Sequence, residues 1–210
     1  MKRLFTLLGS LVLVAAGAGF LFRAELWAAA QELITKDMYV SADTDNFDPG
    51  LPVGAQFPPV RAIHDGSEIN DIEPLMGAKG MVFIANRSAD WCPYCMAQFV
   101  QLQQHLQSFR DAGIAVVALT YDSPQLQREF IEKNAIAYPF LSDIDAATVQ
   151  ALGILNEEYE PGDRAYGIPH PGIFVVDLDS EIVGKIFVDG YEKRVDAVSV
   201  LAYAQNVLGL

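Results

Sequence analysis

Apolar positions along the chain occur either in uninterrupted runs of strand length or in stretches that repeat every three or four residues. The uninterrupted runs predict buried strands, which we place at 81–86, 114–120, 172–177 and 182–188. The stretches with helical spacing predict helices at 93–112, 124–134 and 195–208. Gly113 follows the first helix, where glycine commonly ends one, and Ser123 precedes the second as an N-cap.

Weaker patterns predict three smaller features between these elements. Residues 138–141 favour a short strand and 143–152 a short helix. Short apolar runs at 60–63 and 68–69 flank an Asp-Gly pair, which is a hairpin signal. The order of the elements predicts an α/β fold with a central mixed sheet, helices on both of its faces, and the hairpin as an N-terminal extension.

The first 23 residues differ in composition from the rest of the chain. Lys2 and Arg3 precede an apolar segment, 4–22, that contains no charged residue and ends at Arg23. This pattern is typical of a signal peptide, and the segment is also close to the roughly 20 residues that a membrane anchor helix needs. Small residues at 16–18 and 28–30 offer cleavage sites for the first alternative.

Either alternative carries the remaining residues out of the cytoplasm. A retained anchor would hold them at the periplasmic face of the inner membrane, and a cleaved leader would leave them periplasmic or secreted. Residues 24–56 predict a helical and then extended linker, whose second half is rich in Asp, Pro and Gly. We predict one domain over residues 57–210.

The charge balance argues against one class of partner. Fourteen basic and 27 acidic residues give the chain a formal charge of −13. An acidic surface repels a phosphate backbone, so we do not expect nucleic-acid binding. We predict no cofactor.

The two cysteines of the chain, Cys92 and Cys95, lie at the junction between a predicted strand and a predicted helix. With Cys92 as the N-cap, Pro93 occupies the first helical position, where its missing N–H costs nothing. The helix dipole and the unpaired N–H groups then favour a Cys92 thiolate and lower the pKa of this thiol. Cys95 lies within disulfide reach, so we predict that Cys92 attacks a substrate and Cys95 resolves the mixed intermediate.

Three other interpretations of the cysteine pair remain open. The pair could be two structural thiols buried in the core. A zinc site lacks support because no second pair of metal-ligand residues accompanies the cysteines. A copper carrier could use the two thiolates together with His170.

From about Phe57 to Leu208 the chain resembles the thioredoxin-fold superfamily, and within it the alkyl hydroperoxide reductase C and thiol-specific antioxidant branch. The motifs that carry the resemblance are WCPYC at 91–95 and IPHPGIFVVD at 168–177. The resemblance implies that Pro171 is the cis-proline beside the active site. It also implies that His170 presents its backbone, and its ring, to the sulfurs, and that three further residues shape the site: Trp91, Pro93 and Tyr94.

Three departures from the peroxiredoxin pattern bear on the reaction. Members of that branch carry Thr or Ser three residues before the peroxide-reactive cysteine. They carry Pro four residues before that Thr or Ser, and Arg at the position of Pro171. This chain has Ala89, Ala85 and Pro171 there. We therefore expect an enzyme that exchanges disulfides, with a thiol peroxidase as the alternative. Its expected partners are a thiol or disulfide protein substrate, a thiol electron donor, and the membrane through the N-terminal segment.

Overall fold

The computed structural model describes residues 23–41 and 46–210, which belong to two compact units divided after Asp37. The described part of the first unit contains helix α1 (Arg23–Thr35). Within the described ranges, no helix has both the length and the apolar character needed to cross a bilayer. Most of the predicted leader, residues 1–22, lies outside the described residues.

The second unit, Met38–Leu210, contains the predicted α/β domain. Its described strands are β1 (Tyr39–Val40), β2 (Ala62–His64), β3 (Ser67–Ile69), β4 (Gly80–Ala85), β5 (Ile114–Thr120), β6 (Phe140–Asp143), β7 (Gly172–Val176), β8 (Ile182–Phe187) and β9 (Arg194–Val195). Its described α-helices are α2 (Pro93–Asp111), α3 (Pro124–Asn134), α4 (Ala147–Ala151) and α5 (Ala197–Val207), and a 3-10 turn covers Glu73–Leu75.

Seven strands form one mixed sheet in the order β3-β2-β6-β5-β4-β7-β8. Strand β5 pairs parallel with both β4 and β6. Strand β7 pairs antiparallel with both β4 and β8, and β2 pairs antiparallel with β3 and β6. The mixed sheet and its hairpin extension are therefore confirmed. Strands β1 and β9 pair separately, in parallel.

Strand β4 shows how the two faces of the sheet become two apolar cores. All of its residues are buried, and successive side chains point to opposite faces. Val82 and Ile84 pack into a cluster that contains Phe99 of α2, whereas Phe83 packs into a second cluster with Val149 of α4. Helices thus cover both faces, as the strand and helix order predicts.

Two predicted elements on the β6 side of the sheet are shifted. The strand begins at Phe140 rather than at 138, because the hydroxyl of Tyr138 is buried and donates to the Phe99 carbonyl, and because Pro139 has no N–H for a ladder. The short helix begins at Ala147 rather than at 143. Asp143 instead ends β6, and its carboxylate accepts N–H bonds from the first turn of α4.

The β1–β9 pair was not predicted, and β9 occupies part of the stretch assigned to the last helix. That helix begins at Ala197 because Asp196 is its N-cap and accepts hydrogen bonds from the N–H groups of Val198 and Ser199, each at 3.0 Å. Residues 194 and 195 are therefore free to pair with 39 and 40.

Part of the predicted linker packs on the domain. The N–H groups of Leu51 and Gly54 donate to the carbonyls of Leu152 and Ile182 at 3.0 and 2.8 Å. These bonds run from residues before 57 to the C-cap of α4 and to β8, so this end of the linker contributes to the packing of the domain.

Candidate active site

The two cysteines lie at the N-terminus of α2, directly after the loop that follows β4. Cys92 is the N-cap, and its Sγ accepts a hydrogen bond from the Cys95 N–H at 3.3 Å. Pro93 is the first residue of the helix. The two sulfurs form a disulfide, and both cysteines belong to the apolar cluster under α2, with 2% of Cys92 and none of Cys95 exposed. The predicted capping geometry is thus present.

Arg194 is a site residue that the sequence did not reveal. Its guanidinium is buried, and one Nη lies 3.2 Å from the Sγ of Cys95, across 99 residues of chain. The Nε donates to the Asn86 side chain at 3.1 Å, and the other Nη donates to the carbonyls of Tyr191 and Lys193. These contacts fix a cationic group against the inner sulfur.

Arg194 keeps its charge at neutral pH even though it is buried. Burial lowers its pKa to about 9, and the nearby positive charge of Arg87 acts in the same direction. Tyr39 lies close enough to interact with it electrostatically. Burial raises the pKa of Tyr39 to about 12, with a further contribution from Asp196, so this phenol stays neutral. The site is therefore positively charged on the side of Cys95.

Buried amides connect Arg194 to α2. The Asn86 amide donates to the Gln98 side chain at 2.9 Å, and Gln98 in turn donates to the Val195 carbonyl at 3.3 Å. Asn86 directly follows β4, Gln98 lies on α2, and Val195 lies on β9. This network joins three elements around the sulfurs and limits the movement of the guanidinium.

Asp122 organises the loop before Cys92. Its carboxylate accepts hydrogen bonds from the Ser88 hydroxyl at 2.7 Å, the Ala89 N–H at 2.6 Å and the Thr120 hydroxyl at 2.8 Å. The Ser88 oxygen also accepts from the Trp91 N–H at 3.2 Å. Burial raises the pKa of Asp122, and these hydrogen bonds to its charged form offset part of the rise. The sequence contained a signal for Asp122 as a site residue. Asp122 follows β5, and the parallel strand β4, which leads to the cysteines, ends at the same edge of the sheet.

Aromatic rings surround the exposed side of the motif. Trp91 is 37% exposed, and its Nε1 donates to the Tyr121 hydroxyl at 2.9 Å. Tyr94 packs edge-on against Tyr191, with ring centroids 6.0 Å apart. The guanidinium of Arg87 lies over both Trp91 and Tyr191, at 5.0 and 4.8 Å from the ring centroids. Trp91 and Tyr94 thus lie in one aromatic surface beside the disulfide.

The prediction of a cis bond before Pro171 is wrong. No cis peptide bond occurs within residues 23–41 and 46–210. The chain enters β7 through an extended segment in which Leu155 bridges Pro169 and the His170 N–H donates to the Ile154 carbonyl at 2.7 Å. The trans isomer is the one that X–Pro bonds favour by about 0.5–1 kcal/mol. Pro171 still lies near the site, because it lines a narrow cleft with Gln98 and Arg194.

The ring of His170 packs edge-on against Phe47, with centroids 5.3 Å apart. Burial lowers its pKa, and three nearby acids oppose this shift: Glu158, Glu157 and Asp189. The described contacts of His170 include neither sulfur, and within the described residues no three His, Cys, Asp or Glu side chains form a metal-binding group. The role of His170 beside the sulfurs stays a prediction.

Comparison with known proteins places this site within a family. The model of the AhpC/TSA family matches residues 53–185, which is more than half of the chain. The chain belongs to the AhpC/TSA family. Peroxiredoxin Bcp of Escherichia coli K12 is 26% identical over 118 residues, which cover 56% of this chain and 73% of the relative. Alkyl hydroperoxide reductase E of Mycobacterium bovis is 27% identical over 129 residues, covering 60% and 79%.

Solved structures of AhpC/TSA-like proteins share the fold. Peroxidoxin BcpB from Mycobacterium tuberculosis superposes with a TM-score of 0.61 at 18% identity, covering 76% of this chain and 97% of that one. Peroxiredoxin Q from Xanthomonas campestris gives 0.59 at 21% identity, covering 76% and 98%. The AhpC/TSA relatives are thiol oxidoreductases, and this chain combines their fold with a cysteine pair that forms a disulfide.

Proposed function

We propose that the protein is a thiol–disulfide oxidoreductase in which Cys92 attacks a substrate disulfide and Cys95 resolves the mixed disulfide. One observation supports this above all. The disulfide joins the N-cap and the third residue of α2, and Arg194 lies 3.2 Å from the sulfur of the inner cysteine. Each thiolate that the reaction needs then has its own source of stabilisation, the helix N-terminus for Cys92 and the guanidinium for Cys95.

The proposed reaction takes place in two balanced steps. The Cys92 thiolate attacks one sulfur of a substrate disulfide, forms a mixed disulfide and releases the other substrate sulfur as a thiolate. The Cys95 thiolate then attacks the Cys92 sulfur, closes the intramolecular disulfide and releases the second substrate thiolate. A thiol electron donor returns two electrons and restores both thiols.

Arg194 addresses the main obstacle to the second step. A thiol buried in apolar surroundings resists ionisation, and Cys95 is fully buried. A cation within about 4–6 Å favours the ionised form of an acidic group, so it offsets part of the free-energy cost of ionising a buried thiol. The contact at 3.2 Å therefore supports Cys95 as a resolving thiolate.

The test compares two single variants of the cysteines with a model disulfide protein as substrate. Cys95→Ser should accumulate a mixed disulfide that mass spectrometry detects after acid quenching. Cys92→Ser should form no such adduct, because the attacking sulfur is missing. Accumulation in Cys92→Ser and none in Cys95→Ser would reverse the assignment, and exchange by both variants at the wild-type rate would remove it.

A thiol peroxidase is the second candidate, and membership of the AhpC/TSA family favours it. The contacts of the loop weigh against it. Ser88 is the hydroxyl nearest in sequence to the expected Thr position, but it donates its single proton to Asp122. Stopped-flow oxidation of the reduced protein by hydrogen peroxide separates the candidates. A rate constant no greater than that of a free thiolate would rule out the peroxidase and support disulfide exchange. A much greater rate constant would favour the peroxidase.

We place the activity outside the cytoplasm, on the membrane or in the periplasm. The support is the basic start and the apolar segment at 4–22. The copper carrier has weaker support, because His170 packs on Phe47. Titration of the reduced protein with Cu(I) should give no tight 1:1 complex.

A further inference from the structure

A small pocket lies directly beside the active-site motif. It has a volume of about 300 Å³ and is lined by Arg87, Trp91, Tyr121, Tyr159, Arg164 and Ala165. We call it the Trp91 pocket. Trp91 directly precedes Cys92 in the chain, so one wall of the pocket is the neighbour of the attacking cysteine. A larger cavity of about 500 Å³ beside His64 and Phe140 includes no residue of the 91–95 motif in its lining.

The aromatic walls of the Trp91 pocket are held in place. Trp91 donates to the Tyr121 hydroxyl, and the two rings also meet edge-on at 6.3 Å. Arg87 stacks between the rings of Trp91 and Tyr191. A pocket whose walls are fixed before binding loses little side-chain entropy when a ligand enters.

The pocket concentrates positive charge on a chain whose net charge is −13. Arg87 and Arg164 both line it, and among the described residues no carboxylate forms an ion pair with either. The Nε of Arg87 is also buried without a hydrogen-bond partner. A buried donor without an acceptor is unfavourable, so the Arg87 guanidinium retains an unused hydrogen-bonding group at the wall of the pocket.

We propose that the Trp91 pocket binds the carboxylate of a small thiol that serves as the electron donor. Two arginines select a carboxylate, the rings accommodate a short hydrocarbon chain, and the volume is at the lower end of the roughly 300–1,000 Å³ of small-molecule sites. This inference rests on the proposed exchange function, since the thiol must reduce the Cys92–Cys95 disulfide.

The reaction balances with two molecules of the thiol. The first attacks the Cys92 sulfur as a thiolate and forms a mixed disulfide, and Cys95 leaves as a thiolate beside Arg194. The second attacks the sulfur of the bound thiol, releases Cys92 as a thiolate and forms a small symmetrical disulfide. Two thiols are oxidised and the protein disulfide is reduced by two electrons.

The test uses three monothiols that differ in the charge of one end. These are 3-mercaptopropionate, 2-mercaptoethanol and cysteamine, which are anionic, neutral and cationic. Reduction rates of the oxidised protein are measured for wild type, Arg164→Gln, Arg87→Gln and the matched control Arg128→Gln. Arg128 is an exposed arginine of α3 that does not line the pocket. Each rate is divided by the rate of the same thiol with a small model disulfide, to remove its intrinsic reactivity.

We expect wild type and Arg128→Gln to favour the anionic thiol by about tenfold, the size of one charge-assisted hydrogen bond. Arg164→Gln and Arg87→Gln should lose most of this preference, and added salt should weaken it. The acidic surface alone would instead favour cysteamine. A preference for cysteamine, or equal preferences in wild type and Arg164→Gln, would overturn the proposal.

A binding measurement separates this proposal from the exchange function. Tryptophan fluorescence is followed in a Trp27→Phe background, which leaves Trp91 as the one tryptophan, while 3-(methylthio)propionate, which has no free thiol, is added to the oxidised protein. Saturable binding that Arg164→Gln weakens supports the pocket even if no exchange occurs. If all three monothiols reduce the oxidised protein at equal relative rates and no such binding occurs, the exchange function stands and the proposed role of the pocket is wrong.

Discussion

Arg194 and Cys95 show what a single buried charge contributes to the chemistry. A guanidinium inside an apolar cluster is costly unless its donors are used, and the donors of Arg194 contact the Asn86 side chain, two carbonyls and the Cys95 sulfur. The contact with sulfur becomes strongly favourable only when Cys95 is a thiolate. The charge thus favours the reduced, ionised form of the inner cysteine.

We predict that Arg194→Gln slows the resolving step. Glutamine keeps hydrogen-bonding capacity but removes the charge. The Cys92 mixed disulfide should therefore persist about tenfold longer, because about a tenfold smaller fraction of Cys95 is ionised. Arg194→Lys keeps the charge and should recover part of the rate. Acid quenching and mass spectrometry measure the adduct, and urea unfolding controls for lost stability. Equal lifetimes in wild type and Arg194→Gln would contradict the role.

Asp122 gives a prediction about stability and pH. Burial raises its pKa above 3.8, so the folded protein keeps this proton at pH values where the unfolded chain has released it. The free energy of unfolding therefore falls as the pH rises from 3.8 through the folded-state value. Asp122→Asn cannot titrate. The difference in unfolding free energy, wild type minus variant, should decrease over this range in urea titrations, and an increase would contradict the prediction.

At the scale of elements, β7 connects Pro171, which directly precedes it, to the apolar core. Gly172 begins β7 and pairs with Phe187 of β8. A β-carbon on Gly172 would overlap the Phe187 ring, which is buried and packs edge-on against Phe174. The absence of a side chain at 172 therefore lets the Phe187 ring pack over β7 as part of the second apolar cluster.

Gly172→Ala should destabilise the protein by about 1–3 kcal/mol, because the Phe187 ring cannot move away without disturbing its neighbours. Phe187→Leu is the partner variant, since it shortens the side chain that meets the new methyl group. In a double-mutant cycle by urea unfolding, the two changes should cost less together than their sum. Additive costs would indicate that the two positions do not interact.

The elements that the sequence predicted well are those whose signals are local. The helix α2 is marked at both ends, by Pro93 at its first position and by Gly113 after its end, and its apolar spacing lies in between. Strands β1 and β9 have two residues each and depend on each other across most of the chain. A pattern read along the sequence contains no sign of such a pairing.

The same distinction explains which site residues were found. Cys92, Pro93 and Cys95 lie within four positions, and capping physics connects them. Arg194 contacts Cys95 across 99 residues of chain. The strand that contains Arg194, β9, was itself not predicted. The interpretation of 168–177 by resemblance placed Pro171 near the site but gave the wrong isomer for its peptide bond.

At the scale of the whole molecule, the proposed location of the chemistry depends on the N-terminal segment. The segment 4–22 has 19 residues, and a helix of that number of residues is about 28 Å long, close to the roughly 30 Å hydrocarbon core of a bilayer. A cut after Ala30 would fall inside α1, whereas a cut after Ala18 would precede that helix. Retention and the two cleavage positions therefore predict different N-termini.

We predict that the full chain, expressed in a bacterial host, partitions with membranes and resists extraction by alkaline carbonate. Leu13→Arg places a charge in the middle of the apolar segment, at a cost of about 2.5–3.5 kcal/mol for insertion, and should release a large share of the protein. Arg23→Gln is the matched control, because it lies at the end of the segment. N-terminal mass spectrometry identifies retention or cleavage. Equal partitioning of wild type and Leu13→Arg into the carbonate-resistant fraction would show that this segment does not anchor the domain.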